Sequence, residues 1–518
     1  MLGRKSTRAG ATRAAAAAIA ALAAVAIAGC ATARRSPPRL PRVAVNAPPL
    51  RKLPDPPPSQ PNIVFVLTDD LASNLVQYMP HVLQMQSDGA TFGNYFVTDS
   101  LCCPSRASIF TGRFPHDTGI YTNTPPDGGF DAFHLQGEES QTFPVLLQAA
   151  GYRTALMGKY LNGYDPSATE DGSTPYVPPG WSEWDVAGDA YHEFNYTLNE
   201  NGRLVHYGRD PSDYMTDVLA RKSVHFIDTA AAQRRPFMLE VATFAPHAPF
   251  VPAPRDRGDF PGLQAPRTPA FDAESTNPPP WLSNYVPLSK GGIRRIDRSF
   301  RRRAQAVQAV DALIAQIQAE LVRDHVAGNT YLVFSSDNGL HMGDHRLLPG
   351  KLTAYDTDIH VPLVVTGPRV QGGRTIDQLA ENTDLAPTFL RLAGIAPPPA
   401  IDGHSLAGLL DGQRELAWRN AVLIEHHGRV TDPRDPDLPT SGAGNPPTYE
   451  AIRTAHSLYV EYADGGTEYY DLTTDPFELD NTASSLSATQ QAELQTTLSA
   501  LASCHGITEC WDAGHGTG

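Results

Sequence analysis

Two apolar, β-branched runs end abruptly in oxygen-bearing side chains: "PNIVFVLTDD" closes on Asp69 and Asp70, and "TYLVFSSDNG" presents Asp337 and Asn338. Runs of this composition read as buried parallel strands. In an open α/β sheet, ligands sit beyond the carboxyl ends of such strands. Four oxygen donors converging there without histidine or thiol suit a hard cation, Ca²⁺ or Mg²⁺, rather than zinc. An Asp-Asp pair at a strand end also serves as a helix cap or turn; the matching Asp-Asn pair argues for the cation. A second unusual string is "DSLCCPSRASIFTGRFPH", residues 99–116, where Cys102 and Cys103 precede Pro-Ser-Arg at the mouth of a helix. Its ordinary readings are a vicinal or metal-binding thiol pair and a structural turn. Three cationic side chains stand in loop-like strings: Lys159 in "MGKYLNGY", His247 in "APHAPF" and Lys351 in "LPGKLTAYDTDIH". Isolated loop Lys and His are solvated as a rule. They acquire chemistry only if the fold gathers them against an anion.

That gathering requires the strands to lie side by side. Further strand patterns are "RTALMGK" (153–159), "PFMLEVATFAP" (236–246) and "HVPLVVTGP" (360–368). Helical patterns separate them at 142–151, 212–231, 301–324 and 383–394. Alternation over this length predicts an α/β fold, a large mostly parallel sheet with helices on both faces. From about residue 420 the period changes to alternating runs, with Gly465-Gly466 marking a hairpin. A small antiparallel subdomain closed by a helix at about 487–502 is expected there. The expected divisions are a leader at 1–29, a Pro-rich linker at 30–60, a main domain at 61–415 and a C-terminal α+β subdomain at 416–518.

The leader carries Arg4, Lys5, Arg8 and Arg13 with no acid, then an Ala-rich apolar run from Ala14 to Ala28. This is the anatomy of a secretory signal peptide, with an apolar run too short and weak for a permanent membrane span. It ends in Ile27-Ala28-Gly29-Cys30, which resembles a bacterial lipobox and predicts a lipid anchor on Cys30 of an exported protein facing outward. Removing those four bases takes the net charge from −15 to −19, which argues against a nucleic-acid partner. Export also permits a Cys504–Cys510 disulfide. The basic stretch "IRRIDRSFRRRAQ" (293–305) stands out against the acidic background; it reads as a solvated helix start with ion pairs, or as a guide for a polyanionic glycan.

The string Cys102-Cys103-Pro104-Ser105-Arg106, followed by "ASIFTGRFPH", resembles the signature of type I sulfatases. "MGKYLNGY", "VPPGWSEWD", "APHAPF", "SSDNGLHMGDH" and "LPGKLTAYDTDIHVPLVVTGP" resemble one branch of that family, the N-acetylglucosamine-6-sulfatases and heparan 6-O-endosulfatases, from residue 61 to the end. The resemblance implies an alkaline-phosphatase-like α/β sandwich. It implies that a formylglycine-generating enzyme converts Cys102 to Cα-formylglycine (3-oxoalanine), leaving Cys103 as a small buried hydrophobe. One hydroxyl of the aldehyde hydrate would attack sulfur in line, and the other would then eject sulfate by restoring the aldehyde. Asp69, Asp70, Asp337 and Asn338, with the residue made from Cys102, would ligate the metal, Ca²⁺ in preference to Mg²⁺. Asp337 would also accept the nucleophile's proton. Arg106 would hold the hydrate, Lys159 and Lys351 the sulfate, and His247 with Lys351 would protonate the leaving oxygen. Many arylsulfatases carry His two residues after the Lys matched by Lys159; here that place is Leu161, leaving Asn162 as a candidate to orient the formylglycine. His341 reads equally as a substrate contact or an ordinary loop residue, and "EHHGR" (425–429) as a pocket rim. The implied reaction is hydrolysis of a sulfate monoester, with the 6-O-sulfate of N-acetylglucosamine favoured. Phosphate or phosphonate ester hydrolysis and unmodified glycan binding are the alternatives.

Overall fold

The computed structural model describes residues 51–52, 60–413 and 417–516. The leader, Cys30 and the expected linker apart from residues 51–52 and 60 fall outside the described residues. In chain order the large sheet is built from β1 (Asn62–Thr68), β2 (Ala90–Phe92), β3 (Arg153–Lys159), β4 (Glu183–Ala187), β5 (Tyr196–Glu200), β6 (Arg203–Tyr207), β7 (Phe237–Ala242), β8 (Thr330–Ser336), β9 (Leu363–Thr366) and β10 (Arg374–Ile376). These ten strands lie in the order β10-β2-β9-β8-β1-β7-β3-β4-β5-β6. The centre, β8-β1-β7-β3-β4, is parallel throughout. The "HVPLVVTGP" strand, β9, runs antiparallel to β8, so the sheet is mixed at its margins.

β1 shows why the central strands read as unbroken apolar runs: every residue from Ile63 to Leu67 is fully buried. Ile63, Phe65 and Leu67 face one core and Val64 and Val66 the other. The first core takes α1 (Cys102–Thr111), α2 (Phe143–Ala149) and, through Leu385 and Phe389, a helix at Leu385–Leu392. The second takes α3 (Met215–Ala232) and α4 (Lys290–Arg323). Each fully buried Val, Leu or Phe contributes on the order of 1.5–3 kcal/mol, so two such layers make the carboxyl edge of the sheet a rigid platform.

α4 begins eleven residues before the stretch whose pattern announced it. Ser289 caps it by accepting from the Gly292 amide, while Gly291, Gly292 and the exposed arginines that follow hide the apolar period. The C-terminal strands form a four-stranded antiparallel sheet, β11 (Ala421–His426), β12 (Tyr449–Thr454), β13 (Ser457–Tyr462) and β14 (Thr467–Asp471), with the hairpin at Gly465-Gly466 as expected. A helix at Ala488–Leu501 closes it, and Cys504 is bonded to Cys510. No helix among the described residues is long and apolar enough to cross a membrane.

Candidate active site

Parallel pairing of Thr68 with Ser336 ends β1 and β8 at one level. The residues that follow must therefore share one space. Asp337 donates its amide to the Thr68 carbonyl (3.1 Å), and Asp70 donates its amide to Asp337 Oδ1 (3.1 Å). Asn338 Nδ2 donates to Asp70 Oδ1 at 2.7 Å. Asp70 adopts φ 63°, a left-handed conformation uncommon for Asp. Arg303 of α4, fully buried, donates to the Asp70 carbonyl and holds that turn from behind.

Cys102 opens α1, whose ten residues are all buried. Its Sγ lies 3.1 Å from Asp69 Oδ1 and 3.0 Å from Lys351 Nζ. One helical turn on, Arg106 reaches Asp337 Oδ2 at 2.8 Å through Nε and the Lys159 carbonyl at 3.2 Å through Nη1. Cys103 points the other way, into the core, and its amide donates to Asn123. Lys159, the last residue of β3, pairs with Asp69 at 2.7 Å, and Lys351 with Asp70 at 2.7 Å. His247, beyond β7, approaches Asp70 at 3.5 Å. Every predicted site residue is thus in one buried cluster, none more than 5% exposed.

The electrostatics follow from that burial. Burial alone would raise Asp337, but Arg106, then Lys159 and Lys351, hold its carboxyl below the ordinary range. Burial raises Asp69 despite Lys159. Burial, then Asp337 and Asp437, push the Cys102 thiol far up, so an unmodified Cys102 is a protonated, poor nucleophile. His247 is driven the opposite way: burial opposes its charge, but Asp70, Asp69 and Asp437 raise it to about 9. Its Nδ1 faces the Ala248 carbonyl at 2.7 Å and its Nε2 faces Asp437 at 2.8 Å, the bonding of a doubly protonated ring.

Asp437 is the principal group that sequence reasoning missed. It lies in the 427–448 loop, pairs with Lys351 at 2.9 Å as well as His247, and accepts from Asn123 at 2.8 Å. Lys351 and then His247 hold it well below the ordinary range against burial. The only signal for it is the Asp-Pro repetition in "DPRDPDLP". Tyr191 was missed as well: its ring lies 5.2 Å from Lys159 Nζ and 4.5 Å from His247. Asn162 is 3.5 Å from the Tyr191 hydroxyl, while Leu161 is a core residue. His341 is a buried peg with both ring nitrogens engaged, by Asp358 and by the Ala443 carbonyl. In "EHHGR", Glu425 binds His116, His426 faces Asp99 at 3.9 Å and His427 stacks on Tyr121.

The small sheet reaches this site through the Lys351 loop. Tyr449 Oη donates to the Leu352 carbonyl at 3.1 Å, and Tyr355 Oη donates to Glu468 at 2.9 Å. Leu352 itself adopts φ 83°, a conformation that persists only where the surroundings enforce it.

The cluster could hold a metal ion. Ligand atoms of Asp69, Asp70, Cys102 and His247 lie within 4.8 Å of one another, and Asn338 Oδ1 is buried there without a hydrogen-bond partner. A buried acceptor left unsatisfied costs about 1–3 kcal/mol unless something such as an ion engages it.

The Sulfatase family profile matches residues 61–395. The chain belongs to the sulfatase family. The profile for the C-terminal region of N-sulphoglucosamine sulphohydrolase matches residues 343–503. Human N-acetylglucosamine-6-sulfatase is 35% identical over 476 residues, 87% of this chain and 86% of the relative. A Drosophila melanogaster extracellular sulfatase SULF-1 homolog is 33% identical over 71% of this chain and 33% of its own length. A protein solved in complex with its substrate D-glucosamine-2-N,6-O-disulfate superposes with a TM-score of 0.72 at 23% identity, over 85% of this chain and 97% of that one. This sulfatase is a sulfuric ester hydrolase, acting on sulfate monoesters. Its family works with formylglycine and a divalent metal, and the buried acid group can hold such an ion.

Proposed function

We propose that this sulfatase removes the 6-O-sulfate of N-acetylglucosamine or a closely related sulfated sugar, with Cys102 matured to formylglycine and Ca²⁺ held by Asp69, Asp70, Asp337 and Asn338. The observation that carries the reading is the 35% identity to an N-acetylglucosamine-6-sulfatase over 87% of the chain, with each residue of the expected constellation in one buried cluster. The cation supplies Lewis-acid polarisation of oxygen and charge neutralisation. Lys159 and Lys351 grip the sulfate oxygens. When sulfate takes those ammonium groups, their present carboxylate partners are released to other work. Arg106, locked to Asp337, orients the residue at position 102, and Asp337, held as an anion, takes the proton of its hydroxyl. His247 carries the proton that leaves with the sugar: Nδ1 is anchored on the Ala248 carbonyl, so only Nε2 can deliver it. Full burial excludes bulk water and strengthens each of these contacts.

The same reading makes a formylglycine-generating enzyme a maturation partner and Cys30 the lipid anchor of an exported enzyme, with 61–415 as catalytic domain and 416–518 as its C-terminal subdomain. The test combines two measurements on protein purified from its native cells. Peptide mass spectrometry is expected to find an aldehyde at position 102. Ion chromatography is expected to detect sulfate release from N-acetylglucosamine-6-sulfate that chelation abolishes and Ca²⁺ restores. An aldehyde without turnover of any 6-O-sulfated amino sugar would refute the substrate; two unmodified thiols would refute the nucleophile.

A further inference from the structure

The basic stretch that begins α4 is solvated as expected, but its exposed arginines are not ion-paired. Arg294, Arg295, Arg298 and Arg302 are all exposed. At about 100° per residue they fall within about 100° of arc, opposite the face on which Ile296, Phe300 and Arg303 are buried. None of the four side chains has a carboxylate partner among the described residues. Some exposed arginines elsewhere do, as Arg203 with Glu200, Arg255 with Asp217, Arg323 with Glu320 and Arg434 with Asp432; others, such as Arg209, Arg257 and Arg391, do not, and what sets the four apart is that they share one helix face. In a chain with 56 acidic and 41 basic residues, four adjacent unpaired guanidinium groups are the reverse of what charge balance favours.

At the foot of this face lies a groove of about 560 Å³ lined by Arg295, Arg346, Tyr285, Leu348, Ser441 and Gly442. Arg346 adds a fifth guanidinium, its Nε buried without a partner and its one ion pair made to the exposed Glu274. The groove's walls belong to the same chain segments as the active site. The Leu348 amide donates to the Gly442 carbonyl at 2.7 Å, joining a segment three residues before Lys351 to the loop that carries Asp437. Further along α4, Arg303 braces Asp70. Guanidinium groups bind oxyanions bidentately, and a row of them attracts a polyanion far more than a single charge.

We propose that the arginine face of α4, with the groove at its foot, is a second binding site for sulfate and carboxylate groups of an anionic polysaccharide whose reacting sulfate occupies the buried cluster. The inference rests on the sulfated-sugar reading of that cluster, and it makes the substrate a chain rather than a free monosaccharide.

The test compares the mature enzyme with a variant carrying Arg294→Gln, Arg295→Gln, Arg298→Gln and Arg302→Gln. Glutamine keeps the helix propensity of arginine, so the fold is preserved. Substrates are N-acetylglucosamine-6-sulfate and a size-defined, fully sulfated heparin-type hexasaccharide. For the hexasaccharide the variant's KM is expected to rise about tenfold with kcat unchanged, and the monosaccharide constants to stay as they were. Moderate salt should bring the wild type towards the variant on the hexasaccharide only. Equal hexasaccharide KM values for the two proteins would overturn the proposal, as would parallel loss on both substrates. Loss of binding to vesicles containing anionic phospholipid, with hexasaccharide kinetics unchanged, would assign the face to a membrane instead. If neither sugar is turned over, the substrate reading fails separately. Direct binding of the hexasaccharide to the two proteins then decides the arginine face.

Discussion

At the carboxyl ends of β1 and β8, Asp69, Asp70 and Asp337 are buried among Lys159, Lys351 and Arg106; on the small sheet, Glu468 is buried among the hydroxyls of Tyr355, Tyr462 and Tyr470. Both regions take carboxylates out of water, yet only one can do chemistry. Both oxygens of Glu468 accept from tyrosine, and burial raises its pKa while those bonds pull it back. Nothing there is left to bind. At the sheet edge, Asn338 Oδ1 and Arg106 Nη2 are buried without partners. Behind Arg106, Glu240 of β7 is fully buried with neither oxygen bonded, and burial lifts it to about 8 against the pull of Arg106. Such a cluster pays desolvation for charges whose bonding is incomplete, the mark of a site built to receive something.

The sharpest way to break this contrast is at Cys102. Cys102→Ala removes the nucleophile's precursor and is expected to abolish sulfate release, at least ~10³-fold, with a thermal midpoint close to the parent. Cys103→Ala, a truncation in the core, should retain much of the activity while lowering the midpoint. Equal activity loss in both variants would count against Cys102 as sole precursor.

Next in size is Asp437→Asn. Removing this charge leaves His247 with less to hold its proton. The imidazolium pKa should fall, and the alkaline limb of the kcat pH profile should move to lower pH. A loss of about 10²-fold in kcat is expected, the usual worth of a positioned general acid. An unshifted alkaline limb would show that Asp437 does not govern the His247 proton.

What was legible beforehand divides along the same line. Asp69, Asp70, Asp337 and Asn338 announce themselves because each ends a strand whose apolar run is unmistakable, and Cys102 and Arg106 because their motif is contiguous. Lys159, His247 and Lys351 carry no signal in their own spacing; their motifs' family likeness singled them out. Asp437 had neither strand nor motif, since a loop reaches a site by the path of the whole chain. Glu468 was hidden inside "TEYYD", where alternation shows a strand but not that three tyrosines from separate segments turn their hydroxyls inward. The start of α4 was masked because its exposed arginines dilute the apolar period.

A smaller effect separates scaffold from chemistry. Tyr462→Phe removes one hydroxyl from Glu468, and a hydrogen bond to a charged group is worth about 1.5–3 kcal/mol. Stability in urea should fall by that order, while kcat on a small sulfate ester changes less than about twofold. A kcat loss as large as that of Asp437→Asn would mean that the tyrosine cluster sets the Lys351 loop rather than merely supporting it.

The last expected effect, on stability alone, lies where the C-terminal tail meets the main body. His116 Nδ1 is 2.9 Å from Glu425 and its Nε2 is 2.9 Å from the carbonyl of Cys504, the disulfide partner of Cys510. Burial opposes its charge, but the bond to Glu425, then that carboxylate's charge, raise the imidazole from 6.5 to about 9. Because the folded value lies above the unfolded one, the folded state binds the proton more tightly. The resulting stabilisation is complete below about pH 6.5, fades as pH rises, and is gone above about 9. The thermal midpoint of the parent should therefore decline across that window more than that of His116→Gln, which keeps a side-chain amide but cannot titrate. Parallel curves for the two proteins would show that the imidazole is neutral in the folded state, and that the tail is held by packing and the disulfide alone.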